Sequence, residues 1–74
     1  RLMINYDNGN QITKQMRSMY IKRARDSKCE AILLIYEKGD QEIYPFNVSK
    51  RENVSSAIIT LEEDGIEILE EIYL

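Results

Sequence analysis

Leu2, Ile4 and Tyr6 fall at alternate positions, which places them on one face of a strand over residues 2–6. Asp7-Asn8-Gly9-Asn10 is a dense turn signal. Beyond it the period lengthens. Ile12, Met16, Met19, Tyr20 and Arg23 follow the i, i+4, i+7, i+8, i+11 spacing of one helical stripe, so a helix is expected from near residue 10, capped by Asn10 or Asn8. The competing reading is an Asn8-Gly9 hairpin with a short return strand ending at Thr13. The reach of the stripe favours the helix.

Cys29 to Glu37 reads as a second strand, apolar on both faces, turned by Lys38-Gly39-Asp40. Gln41 to Val48 returns as a third. Pro45 cannot donate to a ladder, so this strand is expected to be an edge, to bulge there or to end early. Ser49-Lys50-Arg51-Glu52 has the form of a capping box. Val54, Ala57, Ile58 and Leu61 then keep helical spacing, and Gly65 stands where a helix-terminating glycine belongs. A strand from Ser56 to Glu62 is the rival, since Ser, Ile and Thr are mediocre helix formers; agreement of cap, stripe and stop favours the helix. Ile66 to Leu74 closes the chain as a strand, with a bulge expected at Glu70-Glu71.

The predicted order is β-α-β-β-α-β. It points to a small α+β domain, a two-layer ferredoxin-like sandwich with two helices on one face of a four-stranded sheet. The alternative is one helix on a mostly antiparallel five-stranded sheet.

Composition narrows the chemistry. The chain has 74 residues, one cysteine and no histidine. It is the size of a single domain, with a core supplied largely by eleven isoleucines. No intrachain disulfide, Ser-His or Cys-His pair can form, and the usual zinc donor sets are missing. Cys29 reads as a buried apolar residue. No D-x-D-x-D-G calcium loop and no glycine-rich phosphate loop occurs. No apolar run nears the roughly 20 residues of a membrane span, and no signal-peptide h-region follows Arg1. These features lead to expectations of a non-enzymatic cytoplasmic protein without cofactor, metal or membrane attachment.

Charge is sorted along the chain. Residues 1–28 hold seven Lys/Arg against two Asp/Glu, a net of +5. Residues 29–74 hold three against eleven, a net of −8, which together make the −3 of the whole. On the expected first helix, Lys14, Arg17, Ile21, Arg25 and Lys28 fall within roughly 80° of one another, opposite the apolar stripe. This is a candidate anion-binding or protein-binding face. Glu62, Glu63, Asp64, Glu67, Glu70 and Glu71 form a candidate acidic patch around the second helix and last strand. With helices on only one face of the sheet, Ile32, Leu34 and Tyr36, joined by Tyr44 and Phe46, would form an open apolar face.

The function expected from these features is protein interaction or regulation. The chain would act as a homo-oligomer, such as a homodimer, or as an adaptor, binding through the sheet face and the basic helix. The alternatives are a nucleic-acid-binding module using the first helix and an inhibitor whose acidic end mimics nucleic-acid charge.

Overall fold

A computed structural model describes every residue except Arg1 and Gln41. The predicted start of the third strand at Gln41 therefore lies outside the described residues. The α+β class holds, but the layers differ from both expected architectures.

β1 (Met3–Asn5) and β2 (Gln11–Thr13) form an antiparallel hairpin of their own, with Ile4 opposite Ile12. Its turn is closed by the Tyr6 N–H donating to the Asn10 carbonyl at 2.9 Å. The Asn8 side chain accepts the Asn10 N–H, also at 2.9 Å, and Gly9 takes a left-handed φ of 88°. The first strand thus does not enter the main sheet, and Asn10 and Asn8 cap no helix. Hairpin and helix are consecutive rather than alternative. Thr13, still extended, ends β2 and caps α1 (Lys14–Asp26) by accepting the Met16 N–H at 3.0 Å.

α1 stops in a Schellman arrangement. The Cys29 N–H donates to Ala24 and the Lys28 N–H to Arg25, both at 3.0 Å, with Lys28 left-handed at φ 62°. The chain then enters β3 (Ala31–Glu37), which pairs antiparallel with both β4 (Tyr44–Val48) and β5 (Ile66–Tyr73). The three-stranded order is β4-β3-β5, so β4, the strand that carries Pro45, is an edge. Between β4 and β5 lie a 3₁₀ turn (Arg51–Asn53) and α2 (Val54–Glu63), ended at Gly65 with φ 80°. Helix therefore wins over strand in this segment. The Ser49/Glu52 capping box does not form; the Arg51 N–H donates instead to the Glu30 carboxylate at 2.7 Å.

β3 is covered on both faces. Ile32 and Leu34 pack with Ile12, Ala24 and Ile43 beneath α1 and the hairpin. Ala31 and Leu33 pack with Val48, Val54 and Leu61 beneath α2. Alternation along the strand sends these two sets to opposite sides, so α1 and α2 sandwich the sheet. This accounts for the two-sided apolar character of residues 31–36. The last strand bulges one residue earlier than expected: Leu34 faces Glu70 while Ile35 faces Ile68, leaving Leu69 as the extra residue.

Candidate functional site

The predicted basic helix face is broken by its own fold. α1 turns Ala24, fully buried, and half-buried Arg17, Tyr20 and Ile21 toward the protein, while Met16 is exposed. The packing face is thus turned toward Arg17, Ile21 and Ala24 and away from Met16, while Met19 and Tyr20 of the expected stripe stay half-buried. Arg17 sits beneath the helix and not on its outer surface. Its Nε donates to Glu70 Oε1 at 3.1 Å and its Nη2 to Glu70 Oε2, a two-pronged ion pair between α1 and β5. The Tyr6 hydroxyl donates to the same Oε1 at 2.5 Å, bringing the hairpin into the network.

The three groups shift one another. The Arg17 guanidinium holds the Glu70 carboxyl below its ordinary range, and Glu70 raises Arg17 in turn. Burial, then the adjoining carboxylate, pushes the Tyr6 phenol up to about 12. Lys14, Arg25 and Lys28 remain exposed; Lys28 lies past the helix end, so no line of four cations exists.

The predicted open sheet face is also corrected. Ile32 and Leu34 are fully buried under α1 and the hairpin, and Tyr36, half-buried, alternates to that same side. Tyr44 and Phe46 lie opposite Ile35 and Leu33, which places them on the α2 side. The five residues therefore divide between two faces and form no single patch.

The acidic patch disperses as well. Glu70 is committed to Arg17. Glu67 lines a recess with the Asn5–Asn8 turn. Glu71 accepts from the Tyr73 hydroxyl at 3.0 Å, and the Tyr73 ring lies 4.3 Å beneath the Arg51 guanidinium. Only Glu62, Glu63 and Asp64 stay together, at the C-terminal end of α2. Among the described residues no three potential ligands converge on a metal position, and no helix is long and apolar enough to cross a membrane.

A surface concavity with an apolar floor lies elsewhere. A trough of about 520 Å³ runs between the edge strand β4 and α2. Val48, Ala57 and Leu61 give it an apolar floor, Phe46 walls the strand side, and Ser56 and Thr60 line the helix side. Thr60 Oγ1 donates back to the Ser56 carbonyl at 3.0 Å, so its lone pairs stay free to accept. Asp64 marks one end. Phe46 is 38% exposed and Tyr44 40% exposed beside it. Asp40 and Glu42 lie near enough to Tyr44 to raise its phenol above the ordinary value. Sequence reasoning missed this trough, although its parts carried signals: an edge was one of the outcomes open to the Pro45 strand, and the Val54/Ala57/Leu61 stripe marked the neighbouring helix face.

Compared with protein-family models, curated proteins and solved structures, the chain matches none.

Proposed function

We propose that this chain is a non-enzymatic interaction module that docks a protein partner along β4 and the adjoining trough, in a reducing cytoplasmic compartment. The observation that carries the reading is Phe46, a large apolar side chain exposed on an edge strand at the wall of an apolar trough. Aromatic side chains, Phe among them, are enriched at the cores of protein–protein interfaces. A sheet-face homodimer loses its basis, because Ile32 and Leu34 belong to the interior. The nucleic-acid reading is weakened by the commitment of Arg17 to Glu70.

The test is selection from display libraries of random peptides and small domains, with the footprint of the selected binder mapped by amide hydrogen exchange. Protection along β4 and the trough-facing side of α2 is the expected result. A footprint on α1 would shift the function to the remaining cations Lys14, Arg25 and Lys28. Selection of no binder that touches β4 would sink the proposal.

A further inference from the structure

We infer that the occupant of the β4/α2 trough is an extended segment of another protein that adds beside β4 and carries a bulky apolar residue next to a lysine or arginine. The inference rests on the interaction reading above and specifies what that surface recognises.

Three features select an extended chain. Among the described residues β4 is an edge, paired only with β3, so its outward N–H and C=O groups meet no strand there. A strand laid against such an edge satisfies those groups through main-chain hydrogen bonds, and its alternate side chains then face the same side as Phe46. That side holds the trough, where Val48 and Leu61 offer an apolar seat and the Thr60 hydroxyl an acceptor.

Charge selects the composition. Among the described residues Asp64 is the one ionised side chain lining the trough, with Glu62 and Glu63 next to it in the chain. Asp40 and Glu42 stand at the entry to β4, near Tyr44. A cation at this end of the docked segment meets opposite charge.

The same features argue against a second copy of this chain. A β4–β4 pair would bring Pro45 on both strands, removing a donor from each side of an already short ladder. A partner strand without proline halves that loss, because only the Pro45 of β4 itself then lacks a donor.

The experiment pans the intact domain against a random-peptide display library. The selected sequence is then synthesised and its binding measured by calorimetry at two salt concentrations. A consensus with an apolar residue near Lys or Arg is expected, with slowed exchange at the β4 amides that face away from β3. Phe46→Ser should weaken binding about tenfold or more. Asp64→Lys should weaken it several-fold and flatten the salt dependence. Circular dichroism and melting of both variants exclude misfolding, and both positions are exposed enough to tolerate change.

Helical ligands in the trough, or acidic ones, would overturn this inference while leaving the docking surface in place. Dimerisation through β4 in place of peptide binding would likewise overturn it. Selected binders that leave β4 and α2 unprotected would overturn both.

Discussion

Arg17 of α1 and Glu70 of β5, 53 positions apart in the chain, meet in a two-pronged ion pair that Tyr6 of the hairpin turn completes. The hairpin and α1 are thereby both fixed to one carboxylate of β5. The pair is partly shielded, with side chains 28% and 29% exposed. Its contribution should fall between that of exposed pairs and that of fully buried ones. Arg17→Met and Glu70→Gln are each expected to lower stability by about 1–2 kcal/mol. Their effects should be non-additive, because either change already breaks the pair. Urea melts of the two single variants and the double variant measure the coupling.

The same network sets a pH dependence at each end of the scale. Glu70 has a depressed folded-state value, so its stabilisation is present above the ordinary carboxylate range and is lost as pH falls through the folded value. Arg17→Met should flatten the acid limb of the stability profile. Tyr6 behaves oppositely. Its value rises from 10.0 to about 12, so its contribution is complete below pH 10 and disappears as pH climbs toward 12. In Tyr6→Phe the alkaline loss over that window should shrink. Melting curves taken across both limbs would show it; an unchanged alkaline limb in Tyr6→Phe would remove Tyr6 from the network.

α1 and α2 end in the same way with different residues at the same position. Lys28 and Gly65 both hold left-handed backbone just beyond the helix. Glycine adopts that conformation freely, whereas a side chain there carries about 1 kcal/mol of strain. Lys28→Gly should therefore stabilise the protein by about 0.5–1 kcal/mol, because Lys28 is exposed and makes no side-chain bond among those described. Gly65→Ala should cost about 1 kcal/mol, although open space surrounds the position where a Cβ would stand. Thermal melts of the pair would give shifts of opposite sign.

Much of this fold was legible from local pattern, and what escaped was non-local. The α2 segment could be read because Val54, Ala57, Ile58 and Leu61 form a stripe that ends at Gly65, all within a dozen residues. Pro45 offered an edge, a bulge or an early end for β4, and the edge is what forms. The facing of α1 could not be read, because one residue on its inner side is the charged Arg17, whose partner Glu70 belongs to the last strand. The hairpin was outweighed by the helical stripe because Ile12 satisfies both patterns: it is a buried strand residue one turn before Met16. The candidate sheet face failed for a related reason. Residues 31–36 are apolar on both sides, which fits either an open face or a covered one, and only tertiary packing of α1 and the hairpin decides between them.

The covering of β3 on both sides gives a final contrast between floor and rim. Leu33 is fully buried between β3 and α2, while Phe46 lies opposite it on β4 and opens to solvent. Leu33→Ala removes atoms from a close-packed interior and should cost about 2–5 kcal/mol, depending on how far α2 settles into the space. In a domain of this size that is a large share of the total stability. Phe46→Ser removes a side chain that is 38% exposed and should cost less, about 1–2 kcal/mol, with an unchanged far-ultraviolet circular dichroism spectrum. Urea melts decide the matter. A loss at Phe46 as large as that at Leu33 would mean that Phe46 belongs to the core, and the exposed wall of the trough would lose its claim as a docking residue.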